Sequence, residues 1–167
     1  MIVFVEGADG SGKSTLVSQL KYHYPTLTIT RESQSKYKSI WSGFNYASSG
    51  KVFVADRCFI SDYVYRLHDL AKGDYNMMEM LRLLKGNAVI YCKTDTQFED
   101  SLLRGEDNIT NKDDAEDIRN LYDVMMRILL KEGIPVMCYD WKTQSLSSAL
   151  SFIKELEGGK DSDTASV

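Results

Sequence analysis

The residues with the most explicit chemistry lie near the start of the chain. Gly7-Ala-Asp-Gly-Ser-Gly12-Lys13-Ser14 follows the pattern G-x-x-x-x-G-K-[S/T]. Glycines let a backbone turn tightly and aim consecutive N–H groups at an anion. A helix beginning at the lysine adds the positive end of its dipole. At this spacing the Lys13 ammonium reaches the β- and γ-phosphates of a nucleotide, and the Ser14 hydroxyl coordinates magnesium. The chemistry expected is the binding of a nucleoside triphosphate, ATP, with Mg2+. The nucleotide-binding set is Gly7, Asp9, Gly10, Ser11, Gly12, Lys13, Ser14 and Thr15.

A second pair, Asp56-Arg57, ends the apolar run Val52-Phe-Val-Ala55. Open α/β sheets bind ligands at the carboxyl ends of their strands. There Asp56 can hold magnesium or take an acceptor's proton, and Arg57 can clamp an anionic group through paired hydrogen bonds. Arg104 closes a helical pattern and opens the polar stretch Gly105–Asp114. It reads as a lid arginine that swings over the phosphates, or as the last turn of a helix stopped by Gly105. Arg119 and Lys112 are further lid cations, weaker by position.

These groups need a scaffold, and apolar runs alternate with helical patterns along the whole chain. The strand candidates are Ile2–Val5, Leu27–Thr30, Val52–Ala55, Ala88–Tyr91 and Pro135–Tyr139. Helical periodicity covers Lys13–Tyr22, residues 61–85 with a break near Gly73-Asp74, Thr96–Arg104, Ala115–Lys131 and Leu146–Leu156. Near-continuous apolar strands separated by helices predict a five-stranded parallel sheet covered on both faces: an α/β, three-layer phosphate-loop fold with a short lid. Residues 1–157 form the expected domain. The Gly-, Ser- and Asp-rich segment 158–167 is expected to be a disordered tail. The carboxylates of Asp113–Asp117 suit a solvated helix N-terminus.

Composition narrows the partners. With 20 Lys and Arg against 24 Asp and Glu, the net charge is −4, and no basic cluster stands out. That disfavours nucleic acid and favours small-molecule nucleotides. The three cysteines, Cys58, Cys92 and Cys138, have no pairing or zinc spacing and read as reduced core thiols of a cytoplasmic protein. The apolar stretch Ile2–Val5 is too short for a leader or a membrane span. A homodimer is compatible with all of this. Met77, Met78, Met80, Met125 and Met126 lie on helical patterns and read as core. Any of Trp41, Phe44 and Tyr46 could stack on a nucleobase or pack in the core.

A phosphate loop alone serves switch GTPases, motor ATPases and kinases. A switch would carry D-x-x-G and N-K-x-D at strand ends, whereas Asn111-Lys-Asp-Asp114 lies in a polar stretch. A motor would need paired acids and a longer chain. A kinase remains. Phe4-Val-Glu-Gly-Ala-Asp9-Gly-Ser-Gly-Lys-Ser-Thr15, Thr30-Arg31-Glu32 and Asp56-Arg57-x-x-x-Ser61-x-x-Val-Tyr65 resemble the thymidylate kinases. That family has an F-x-E-G-x-D-G-x-G-K-x-T loop, a TRE-type strand end and a D-R-Y-x-x-S-x-x-A-Y-Q segment. Tyr91-Cys-Lys-Thr94 is closer to the Y-L-R-T segment of the related deoxynucleoside kinases. The resemblance runs from Ile2 to Leu156.

The resemblance implies that Asp9 contacts the sugar 3′-hydroxyl side of the acceptor and that Arg57 holds the acceptor phosphate. It implies that Ser61 and Tyr65 line the base and deoxyribose pocket and that Arg31 and Glu32 belong to the acceptor side. It also implies that charge neutralisation at the transferred group comes from the lid, since position 10 is glycine rather than a loop arginine. Arg66 replaces the family's glutamine, and only twenty-three residues separate Glu32 from Asp56. The expected activity is ATP-dependent phosphorylation of a deoxynucleoside monophosphate, dTMP before others, with Lys13, Asp56, Arg57 and Arg104 catalytic and Ser14 and Asp56 on the metal. The alternatives are phosphorylation of a nucleoside 5′-hydroxyl, a kinase acting on a base or end within DNA, and an ATP-sensing module without catalysis.

Overall fold

Five short apolar segments become five parallel strands in the computed structural model, which describes residues 1–28, 50–68, 77–93 and 112–161. They are β1 (Ile2–Glu6), β2 (Thr26–Thr28), β3 (Phe53–Asp56), β4 (Ala88–Cys92) and β5 (Val136–Tyr139). The helices are α1 (Lys13–Leu20), α2 (Phe59–His68), α3 (Met77–Leu84), α4 (Lys112–Lys131) and α5 (Leu146–Asp161). The sheet order is β2-β3-β1-β4-β5. Thus β1 is central, and every one of its five residues is buried. In register, Val5 lies beside Asp56 on one side and Ile90 on the other.

Side chains alternate between two cores, as the pleat demands. Ile2, Phe4, Phe53, Ala55, Val89 and Tyr91 share one cluster with residues of α2, α3 and α4. Val3, Val5, Val54, Ala88, Ile90 and Cys92 share the other with α1 and α5. The expected three-layer arrangement of a parallel sheet with both faces covered is therefore the observed one. No helix among the described residues is long and apolar enough to cross a membrane.

Chain order explains where a site can form. From β1 the chain passes to β2 and β3 on one side of the sheet and then to β4 and β5 on the other. In open α/β sheets with such a reversal of chain order, ligands bind outside the carboxyl ends of the strands at the switch point.

Some expectations change. Over residues 61–85, read as one or two helices with a break near Gly73-Asp74, α2 begins two residues early at Phe59 and α3 covers Met77–Leu84, while residues 69–76 lie outside the described residues. Helix α4 begins at Lys112, three residues early, and carries Asp113 and Asp114 in its first turn. Helix α5 continues to Asp161, five residues past its expected end at Leu156 and through Gly158 and Gly159. Met78 is 71% exposed, whereas Met80, Met125 and Met126 are buried; residue 78 falls on the outward side of α3, opposite Met80 and Leu83. Cys138 is exposed because β5 is an edge strand, while Cys58 and Cys92 are buried. Arg31, Glu32, Trp41, Phe44, Tyr46, the helix over 96–104 with Arg104, and lid residues 105–111 lie outside the described residues.

One buried side chain joins the sheet to the helical layer. Asn87 accepts the Ile2 N–H through Oδ1 at 2.8 Å and donates through Nδ2 to the Leu83 carbonyl at 3.1 Å. Asn87→Ala leaves the Ile2 N–H stranded where water does not reach. The expected cost is about 2 kcal/mol of unfolding free energy, measured by urea titration.

Candidate functional site

The loop between β1 and α1 is shaped by backbone that only glycine tolerates. Gly7 has φ 141°, and a Cβ there would stand 2.3 Å from the Cys92 carbonyl oxygen. Gly12 has φ 86° and forms the N-cap of α1. A Cβ on Gly12 would meet the Trp141 ring at 2.6 Å. Trp141, just beyond β5, therefore lies against the loop while remaining 42% exposed. No side chain caps α1, so its first N–H groups are left for the concavity of the loop.

Lys13 is 5% exposed. Its Nζ donates to the Ala8 carbonyl at 2.6 Å and to Ser11 Oγ at 3.5 Å, and lies 4.0 Å from Asp9 Oδ1. Burial, reinforced by the nearby Arg57 charge, lowers its pKa to about 8 against the partial support of Asp9. Ser14 and Thr15 are exposed on the first turn of α1, whereas Ser11 is buried. The hydroxyl of Ser14 and the half-buried carboxylate of Asp56 are the oxygen donors available to a hard cation. No cluster of three or more His, Cys, Asp or Glu ligands exists among the described residues.

The carboxyl ends of β1 and β3 carry a knot of charge. Arg57 Nη2 bonds to Asp9 Oδ1, and its Nη1 lies 3.5 Å from Ser61 Oγ. The Arg57 side chain is 31% exposed and that of Asp9 only 9%. Arg57 has φ 64°, in the left-handed region. Behind the pair, Glu6 is fully buried and accepts the Cys58 N–H at 2.6 Å and the Ser61 hydroxyl at 2.5 Å. Desolvation raises the Glu6 pKa against hydrogen bonds from Cys58 and Ser61 and the charge of Arg57. The Tyr122 hydroxyl donates to Ser61 Oγ at 2.8 Å. The hydroxyl of Tyr65 is buried without a partner at hydrogen-bond geometry among the described residues, and burial, then the charge of Asp9, raises its pKa to about 12 against the nearby Arg57.

The structure thus brings together Gly7 to Thr15, Asp56, Arg57, Ser61 and Tyr65. Ser61 lies beneath Arg57 rather than on an open wall, because its hydroxyl is spent on Glu6 and Tyr122. Asp9 is turned onto Arg57 and Lys13. Lys93, in the Tyr-Cys-Lys-Thr segment, is tied to Asp123 at 2.6 Å, and Tyr91 donates to the same carboxylate at 2.9 Å. Lys112 is exposed and Arg119 half-buried on α4. Sequence reasoning missed Glu6, Tyr122 and Trp141. A glutamate between an apolar strand and the phosphate loop was the visible signal for the first.

Occupation of the loop by an anion favours the ammonium form of Lys13. With a pKa of about 8, the ammonium fraction falls above that pH, and binding must then take up a proton. ATP affinity, measured by calorimetry between pH 7.5 and 9.5, is expected to weaken progressively above about pH 8, approaching tenfold per pH unit. In Lys13→Arg, whose guanidinium keeps its charge, this step is expected to vanish.

Solved structures with the same architecture include a protein determined with a bound nucleotide and two kinases. YorR protein from Bacillus subtilis, determined in complex with phosphorylated GDP, is 23% identical over 95% of this chain and 98% of its own, with a TM-score of 0.67. Deoxyadenosine kinase from M. mycoides, determined with dCMP and dCDP, is 16% identical over 93% and 97%, with a TM-score of 0.62. Shikimate kinase from Acinetobacter baumannii is 12% identical over 95% and 93%, with a TM-score of 0.52. No family model matches the chain, and no curated protein matches it. The chain shares the fold of these structures, a parallel α/β sheet with a phosphate loop after its central strand.

Proposed function

We propose that this chain is a thymidylate kinase-like nucleoside monophosphate kinase, which moves the γ-phosphoryl group of ATP onto a deoxynucleoside monophosphate, dTMP before others, to give ADP and the diphosphate. The observation that carries this reading is Arg57. Its guanidinium is oriented by Asp9 and Ser61, stays partly open to solvent, and stands at the end of the strand beside the phosphate loop. A planar donor in that position suits a phosphate dianion.

Each side chain then has a task. Lys13 exchanges the Ala8 carbonyl for the β- and γ-phosphate oxygens, and the loop N–H groups take the rest of the triphosphate. Asp9 divides its carboxylate between Arg57 and the acceptor's 3′-hydroxyl. Tyr65 bounds the sugar side, while Ser61 acts from behind Arg57 rather than on the pocket wall. Magnesium fits the residues present, since a hydroxyl at Ser14 and a carboxylate at Asp56 match a hard cation that takes most of its ligands from phosphates and water. When bound it neutralises charge on the β- and γ-oxygens. Arg104, with Arg31 and Glu32, completes the reading as a lid cation and acceptor-side contacts. With two anionic substrates, catalysis is mostly positioning and charge neutralisation.

A second reading is a deoxynucleoside kinase, favoured by the likeness to deoxyadenosine kinase. There Asp56 takes the proton of a 5′-hydroxyl, and Arg57 has no acceptor phosphate to hold. Two variants separate them. For a monophosphate kinase, Arg57→Ala is expected to raise the acceptor KM on the order of 100-fold, through loss of a charge-assisted paired contact, while part of the loss in Asp56→Asn is recovered at higher magnesium. For a nucleoside kinase, Asp56→Asn loses activity at every magnesium concentration and Arg57→Ala spares the acceptor KM.

A further inference from the structure

Glu6 has no task in that scheme, yet it is the one acid that water does not touch at the end of the central strand. A carboxylate in such a place is costly unless its oxygens are filled. Oε1 accepts the Cys58 N–H at 2.6 Å, and Oε2 accepts the Ser61 hydroxyl at 2.5 Å. The Tyr122 hydroxyl, 3.5 Å from Oε2, gives its proton to Ser61 Oγ at 2.8 Å. Donation therefore runs from Tyr122 to Ser61 to Glu6. With its own proton committed to Glu6, Ser61 presents its remaining lone pair to Arg57 Nη1 at 3.5 Å.

The backbone bond matters as much. Arg57 is the one non-glycine among the described residues with positive φ, at 64°. That conformation persists only where its surroundings over-determine it. The peptide following Arg57 ends in the Cys58 N–H, which Glu6 holds, and the Arg57 N–H itself donates to the Val5 carbonyl at 3.0 Å. Both anchors of the strained residue thus come from the last two residues of β1.

We propose that Glu6 is the positioning residue of the acceptor site: one carboxylate oxygen fixes the reversed turn at Arg57–Cys58, and the other orients the Ser61 hydroxyl that backs the Arg57 guanidinium. Asp9 then restrains the guanidinium at Nη2, and Glu6 sets where it starts. The kinetic part of this inference rests on the reading of Arg57 as the acceptor-phosphate residue.

In Glu6→Gln the amide can still accept from Cys58 N–H but must donate toward Ser61, which reverses the hydroxyl and takes the acceptor away from Arg57 or Tyr122. The acceptor KM is expected to rise about tenfold, with the ATP KM unchanged within about twofold, and the same substitution made in Arg57→Ala is expected to add nothing. Ser61→Ala, which keeps the backbone anchor, tests the second oxygen alone if Glu6→Gln does not fold. NMR of the ligand-free protein supplies a readout that needs no acceptor: the Arg57 Nε–H order parameter falls in both variants. Folded variants with wild-type acceptor KM, or a tenfold cost that persists without the arginine, overturn the proposal. An unchanged acceptor KM in Arg57→Ala alone sinks the functional reading instead, and the order parameter then decides the positioning role. Rigid Arg57 in both variants overturns it.

Discussion

The structure turns on four charges gathered where the central strand ends. Glu6, Asp9, Lys13 and Arg57 are two acids and two bases in a region with little water, and Glu6 and Lys13 are almost wholly enclosed. Enclosed charges persist only when paired and hydrogen-bonded. The pairing is complete but lopsided. Glu6 is satisfied by neutral donors, Asp9 serves both cations, and Lys13 leans on a backbone carbonyl. The cations are therefore the members with something left to offer an incoming anion. Lys13 holds its positive charge against the effect of burial, and a phosphate beside it restores what burial removed.

The scaffold makes that gathering possible. A strand buried on both faces can carry its polar residues only at its end, and β1 does so at Glu6, one residue before the loop. The register of β1 with β3 sets Asp56 beside Val5 and delivers Arg57 and Cys58 over the end of the central strand. Helix α4, packed across α2, contributes Tyr122 from outside the sheet, and its ring stacks on Tyr91 of β4 with centroids 5.7 Å apart. Strand, loop and helix are held by the same few hydrogen bonds that orient the guanidinium. Structural and functional demands on Ser61 and Glu6 are consequently hard to separate by stability alone.

Much of this was readable in advance, for identifiable reasons. Strands buried on two faces read as unbroken apolar runs, so Ile2–Val5, Val52–Ala55 and Ala88–Tyr91 announced the parallel sheet. The phosphate loop is local, because its glycines and lysine act within eight consecutive residues. Glu6 was visible as a glutamate at the junction of strand and loop, but its burial was not readable, because a single glutamate after an apolar run looks like the first solvated residue of a loop. Its burial is created by Tyr122, Cys58 and Ser61, which lie far away in the chain. Tyr122 falls on the buried stripe of α4 with Ile118, Met125 and Leu129 and looks like core; only tertiary structure aims its hydroxyl at Ser61. Cys138 and Met78 were misread because periodicity marks a face without saying whether anything covers it.

The central claim is that an anionic acceptor meets Arg57 beside the phosphate loop. Its most direct test is ADP formation from ATP, with magnesium, across a panel of nucleosides and nucleoside monophosphates. The account predicts turnover with a deoxynucleoside monophosphate, dTMP foremost, and little with the matching nucleoside. Efficient turnover of thymidine or another nucleoside, with none of any monophosphate, would contradict it.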